Sequence, residues 1–235
     1  MMSLKTLLLK LKGPMQSWGT SSRFETRMTD YYPSKSAVIG IIAASFGYKR
    51  DEDEKIQRLN DLDFAVRIDQ EGVLKKDYQT VIKCKNNGVF ERNYVTNRYY
   101  MEDAVYVVAI SHADEAWMDE IHDALRHPYF QPFMGRRSCP LPPDFIIDMV
   151  EGGAIEALET LEWQAAPWYQ RKHAQYRADI YADKDLIPEA SHTLRNDRVV
   201  SFSQKARRFG PRFEARSDKI MANGGERPQD FFGSI

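Results

Sequence analysis

The chain has 235 residues, of which 43% are hydrophobic and 29% charged, with a formal net charge of −1. That supplies enough apolar material for one large core, or a core plus a smaller unit, and excludes a chain disordered throughout. The near-neutral total argues against a free-standing nucleic-acid binder, which is usually basic overall, unless the charge is unevenly placed.

Leu4–Lys12 reads as a β-strand, with Leu7, Leu9 and Leu11 on one side and Leu8 on the other. A strand this apolar belongs at the centre of a sheet. Gly13-Pro14 ends it, and a polar loop, Met15–Ser22, follows. A ring as large as Trp18 has less reason to be core in such a loop, which leaves it to stack on a base or anchor a partner. Ser34 is a good N-cap for a helix with Ala37, Val38, Ile41, Ile42 and Ala44 as its apolar face and Gly47 as its stop. Asp63–Asp69 alternates as a second strand. From Lys75 to Tyr100, β-formers flank Asn86-Asn87-Gly88, the strongest short hairpin signal. The flanks hold few large aliphatics, so this hairpin is expected to project from the core. Ala104–Ser111 is a buried strand, and Asp114–Arg126 a helix with Trp117, Ile121, Ala124 and Leu125 at helical spacing. Beyond a Pro- and aromatic-rich segment, Phe130–Pro143, the signal weakens. Ala154–Leu161 reads as a short helix, and Tyr169–Ala182 and Arg198–Gln204 as strands.

Strand, helix, strand, inserted hairpin, strand, helix and a further strand make a βαββαβ order, so an α+β, ferredoxin-like (RRM-like) core with a small C-terminal β-rich extension is expected. Fold alone does not decide function. The expected organisation is a core over 1–145 including the hairpin 75–100, a small C-terminal subdomain over 146–222, and a flexible tail over 223–235.

Charge is segregated along this order. Lys75–Tyr100 carries six Lys/Arg against Asp77 and Glu91, net +4, and Arg195–Arg216 carries seven against Asp197 and Glu214, net +5. Acid collects in Asp51–Asp63 and Glu151–Trp163. Such blocks suit one polyanion face with other faces for solvent or protein; each taken singly also fits ordinary solvated surface. Cys84 and Cys139 lie far apart with no clustered His/Cys set, which argues against zinc and against a disulfide framework. No signal peptide or membrane span is read, so cytoplasm is the default, and no cofactor is implied.

Three segments have the composition of phosphate sites. Ser34-Lys35-Ser36 opens a helix, where free backbone N–H groups, two hydroxyls and an ammonium attract an anion, although a plain N-cap with a solvated lysine fits equally. Gly135-Arg136-Arg137-Ser138 pairs a close-approach glycine with two guanidiniums, although on a strand the two would face opposite ways. The hairpin interleaves Lys76, Lys83 and Arg98 with Tyr78, Tyr94, Tyr99 and Tyr100, the charge-plus-ring pattern of single-stranded RNA recognition. None of the five histidines, His112, His122, His127, His173 and His192, sits in a recognisable catalytic spacing.

Leu11–Gly19 (LKGPMQSWG), Tyr32–Gly40 (YPSKSAVIG) and Gly135–Pro140 (GRRSCP), in that order and with a hairpin between the second and third, resemble the CasD family of subunits of the type I-E CRISPR Cascade complex, in the repeat-associated mysterious protein superfamily. The resemblance covers roughly the first 145 residues and is looser beyond. It implies a ferredoxin-like core with a thumb-like hairpin that caps the 5′ handle of crRNA, contacts the backbone subunits and the large subunit, meets target DNA only through the complex, and does not cut RNA. A related type I-C branch cleaves precursor RNA with a Tyr/Lys/His set. Tyr31, Tyr32 and Lys35 keep that alternative open, although no histidine matches the set. The expected RNA-binding residues are Gln16, Trp18, Ser34, Lys35, Ser36, Lys76, Lys83, Arg98, Arg136 and Arg137. No catalytic or metal-binding residue is expected.

Overall fold

The computed structural model describes residues 4–19 and 25–222. Its strands are β1 (Lys5–Lys12), β2 (Met15–Gln16), β3 (Thr26–Arg27), β4 (Asp63–Gln70), β5 (Val73–Cys84), β6 (Phe90–Glu102), β7 (Val105–His112), β8 (Ile146–Glu151), β9 (Gln175–Asp183), β10 (His192–Ser201) and β11 (Arg208–Ala222). Its helices are α1 (Lys35–Ser45), α2 (Asp53–Arg58), α3 (Glu115–Arg126), α4 (Ala154–Thr160) and α5 (Pro167–Lys172). Among the described residues no helix is long and apolar enough to cross a membrane. The expected tail, 223–235, and the end of the loop read as Met15–Ser22 lie outside the described residues.

The fold is α+β, built on a seven-stranded sheet in the order β10-β11-β9-β4-β7-β1-β8. Every neighbouring pair in it is antiparallel. The alternation in β1 sorts its leucines between two layers. Leu7, Leu9 and Leu11 face α1 and α3, where they pack with Ile39, Ile42, Trp117 and Ile121. Leu8 faces α4, where it packs with Ala157 and Leu158. Asp114 caps α3 by accepting from the Trp117 N–H at 3.0 Å.

Residues 146–222 do not build a sheet of their own. β8 pairs with β1, and β9 pairs with β4 through Ala65↔Ala182, so β9–β11 carry the central sheet onward. A buried pair fastens the other layer to β4. Arg67 donates to Asp69 from Nε at 2.6 Å and to the Leu161 carbonyl at 2.9 Å, and it also donates to the Leu158 carbonyl, satisfying the C-terminus of α4.

Two local expectations are corrected. The strand expected from Tyr169 begins at Gln175, because Pro167 opens a short helix there. The strand expected over Arg198–Gln204 is the longer β10, starting at His192. Its partner β11 escapes pattern reading, since Arg208–Ala222 carries six charged residues and Gly210-Pro211. Pro211 cannot donate to the ladder, and the β10–β11 register shifts there, between Arg195 and Arg198.

The hairpin is the long β5–β6 pair, in register from Val73↔Glu102 to Lys83↔Arg92. It closes at the expected turn, where Gly88 has φ +80° and the Gly88 N–H reaches the Lys85 carbonyl at 2.9 Å. Its root is held in a second, smaller sheet: β6 pairs antiparallel with β2 and parallel with β3.

Candidate nucleic-acid interface

The start of α1 is a built anion site, and the protein fills it itself. Ser34 caps the helix, its Oγ accepting from the Ala37 N–H at 3.3 Å and lying 3.1 Å from Ser36 Oγ. The Lys35 N–H, however, donates to Asp197 Oδ2 at 2.9 Å, and Lys35 Nζ donates to Asp183 Oδ2 at 2.8 Å. Lys35 is 7% exposed, with Ser34 and Ser36 equally enclosed. A carboxylate from the β10 bulge thus stands where a phosphate was expected. These three residues face no open surface in this conformation.

The same carboxylate gathers the C-terminal basic block. Arg212 donates to Asp197 from Nε at 2.7 Å, to Asp183 at 3.0 Å and to Glu214 at 2.6 Å. Arg195 pairs with Asp30 at 3.0 Å and Glu214 at 3.2 Å. Burial would raise the Asp197 carboxyl, but the Arg212 hydrogen bonds and the Arg212 and Arg195 charges outweigh it and hold the group below the usual carboxylate range. Tyr32 joins the network by donating to Glu214 at 2.8 Å and stacking on Tyr181 at 4.0 Å. Burial chiefly pushes its phenol up. Outside the network, Arg216 pairs with Asp179 and Arg177 with Asp218. Within Arg195–Arg216, Arg195 and Arg212 therefore neutralise carboxylates inside the fold, while Arg198, Lys205, Arg207 and Arg208 are exposed and form no ion pair among the described residues.

The first and third motifs do meet. Ser17 N–H donates to the Met134 carbonyl at 3.2 Å, and a Cβ on Gly135, at φ +77°, would stand 1.6 Å from the Ser17 carbonyl oxygen. Only glycine permits that approach. Gln16 is 0% exposed and donates to the Ala104 carbonyl at 2.7 Å. Trp18 is 1% exposed and sits edge-on to Tyr106 at 6.4 Å. Both are enclosed in the core beside the loop in this conformation. The apolar interior recruits the indole despite its polar neighbours in sequence.

What this junction displays outward is arginine. Arg136 crosses from the Gly135 turn to the hairpin root, where its guanidinium lies 4.3 Å over the Tyr100 ring and donates to the Arg27 carbonyl at 2.9 Å. Arg27 is the β3 partner of Arg98. Arg98 stands opposite Asp77, whose carboxylate instead accepts from Gln79 at 2.7 Å. Among the described residues no ion pair forms on Arg27, Arg98, Arg136 or the exposed Arg137. Among the described residues, five of the six buried side-chain polar atoms without a partner belong to the same segments: Gln16 Oε1, Trp18 Nε1, Asn97 Oδ1, Arg98 Nε and Arg136 Nη1. Native folds leave few such groups. Arg27 was not foreseen, because nothing in its flanking sequence distinguishes it; only the parallel β3–β6 pairing brings it to Arg98.

Along the shaft, cross-strand pairing defines two faces. Lys76, Tyr78, Ile82, Val95 and Tyr99 share one face, with Tyr78 62% and Ile82 65% exposed and Lys76 without an ion pair. Lys83 lies on the other face and pairs with Glu91 at 2.8 Å. The expected residues thus divide. Arg98, Arg136 and Arg137 cluster at the root and Lys76 lies on the shaft, while Lys83 is paired and Gln16, Trp18, Ser34, Lys35 and Ser36 are enclosed.

Comparison with known proteins bears on this arrangement. A family model described as CRISPR-associated protein (Cas_Cas5) matches residues 6–214. The CRISPR system Cascade subunit CasD of Escherichia coli (strain K12) is 35% identical over 150 residues, spanning 57% of this chain and 66% of that protein. A solved chain of a CRISPR RNA-guided surveillance complex superposes with a TM-score of 0.75 at 30% identity, covering 92% of this chain and 91% of the other. The crystal structure of a Cas protein gives 0.64 at 30% identity, covering 92% and 95%. The family match runs through all three motif segments and the hairpin and into β11, and the chain belongs to the CRISPR-associated Cas5 family.

Proposed function

We propose that this chain is a non-catalytic subunit of a Cascade-type surveillance complex that binds the 5′ handle of crRNA at the hairpin root. The observation that carries the reading is the convergence of Arg27, Arg98 and Arg136, with Arg137 beside them, free of carboxylates. Uncompensated guanidiniums are suited to the phosphates of a single strand, while the Tyr78 and Tyr99 rings lie on the opposite face of the ribbon from Arg98. The similarity to CasD and to a chain of an RNA-guided complex points to the same RNA and to other Cascade subunits as partners, with target DNA reached through the complex and a cytoplasmic setting. The stretch β4-β7-β1-β8, with α1 and α3 on one face, supports the ferredoxin-like reading of the core. We read 146–222 as an extension that completes this core.

The absence of catalysis in the proposal is supported by the placement of Tyr32 and Lys35, which are committed to Glu214 and Asp183. Ultraviolet crosslinking of the purified complex, followed by peptide mapping, tests the binding surface. Crosslinks are expected in the peptides holding Arg98–Tyr100 and Arg136–Arg137. Their confinement to the C-terminal strands would overturn it. Incubation of the protein with repeat RNA is expected to leave the RNA intact; metal-independent cleavage to a 2′,3′-cyclic phosphate would make it a processing enzyme.

A further inference from the structure

A second aromatic and basic surface lies outside the hairpin. The short helix α5 exposes Trp168 (43%), and Lys172 Nζ sits 5.1 Å from the centre of its ring. Arg171 and Lys172 are exposed and have no carboxylate partner among the described residues. The ring is mounted on a stacked floor: Trp168 meets Tyr169 edge-on at 5.6 Å, Tyr169 stacks on His173 at 4.2 Å, and Trp163 stacks on Tyr176 at 5.5 Å. That floor is pinned to the strand leading into the hairpin. Trp163 Nε1 donates to the Asp69 carbonyl at 2.7 Å, and the Ala166 N–H donates to Gln70 Oε1 at 3.0 Å. The hairpin begins at Val73, so α5 is anchored within a few residues of it.

We propose that α5 is a second contact for single-stranded nucleic acid, in which Trp168 stacks on one base while Arg171 and Lys172 hold neighbouring phosphates. An exposed indole on a rigid aromatic floor loses little freedom when a base stacks on it, and two uncompensated cations beside it suit a polyanion rather than an apolar protein face. The proposal rests on the RNA-binding reading for the identity of the strand. In it, the hairpin root holds one part of the RNA and α5 a more distant part.

The test is fluorescence anisotropy on the full chain with two labelled single-stranded RNAs, one short enough to occupy the root alone and one of full repeat length. Trp168→Ala is expected to weaken the long RNA by on the order of tenfold and leave the short one unchanged, as for loss of one stacked base. Trp168→Phe should recover most of the loss. Arg171→Gln with Lys172→Gln should flatten the salt dependence for the long RNA by about 1.4 in log–log slope. Wild-type binding of both RNAs by these variants overturns the proposal, and so does unchanged RNA binding with lost co-purification of partner subunits, which would make α5 a protein contact. The short RNA with Arg98→Ala and Arg136→Ala reads the root separately, so the two readings fail in distinguishable ways.

Discussion

Two arginine-rich regions of this protein have nearly the same composition and opposite fates. In the C-terminal strands, Arg195 and Arg212 are enclosed with Asp30, Asp183, Asp197 and Glu214, and they join β10 and β11 to the start of α1. At the hairpin root, Arg27, Arg98, Arg136 and Arg137 converge from three separate segments and meet no carboxylate. The first set holds the fold together, and the second leaves positive charge for a ligand. Net charge along the sequence, +5 in the first block and +4 in the hairpin, does not tell which arginines are paired. The decisive variable is which carboxylates the topology brings within reach, and it is not written locally.

The largest effect that can break this contrast is on stability. Arg212→Ala strips a buried arginine from three carboxylates and should destabilise the fold by about 3–5 kcal/mol. Urea unfolding measures it; a loss under about 1 kcal/mol would mean the network is not structural. The corresponding change at the root, Arg98→Ala with Arg136→Ala, should alter unfolding little. It should weaken single-stranded RNA binding by about tenfold or more, as expected for two charge-assisted contacts.

Acid sharpens the comparison next. The Asp197 carboxyl is lowered in the fold, so its contribution to stability is fully present above the unfolded value of about 4 and is lost as pH falls through its lower folded value. Asp197→Asn should therefore remove part of the acid destabilisation seen as pH falls below about 4. An acid limb of unchanged steepness would contradict this. Lys35→Ala separates the two fates at one position that sequence reading placed on the RNA surface. It should cost stability through Asp183 and leave the salt dependence of RNA binding unchanged. The smallest effect is expected at Lys76→Ala, a single exposed shaft cation, with a loss of affinity of a few-fold and no change in unfolding.

Much of the fold was legible, for identifiable reasons. β1, β7 and α3 carry apolar periodicity strong enough to fix both element and buried face, and Asn87-Gly88 fixes the hairpin turn. β11 was not legible, because a strand whose charged side chains are matched by those of β9 and β10 has no apolar alternation to read. At the site, the Gly135-Arg136 turn and Arg98 were legible as residue types, but their meeting with Arg27 depends on β3 pairing with β6. The composition of the α1 N-terminus suited an anion site and a plain N-cap equally, and in the fold its Lys35 N–H meets a carboxylate. Its anion, Asp197, lies 162 residues away along the chain, delivered by a bulge opposite Pro211.

The central claim is that the hairpin root, rather than the paired arginines of the C-terminal strands, meets the RNA. The salt dependence of single-stranded RNA affinity tests it most directly when wild type is compared with Arg98→Ala/Arg136→Ala and with Arg177→Ala/Arg216→Ala, whose side chains are exposed but paired with Asp218 and Asp179. The account predicts that the root pair flattens the log–log slope by about 1.4 and the C-terminal pair leaves it unchanged. A flattened slope for the C-terminal pair with an unchanged slope for the root would contradict it.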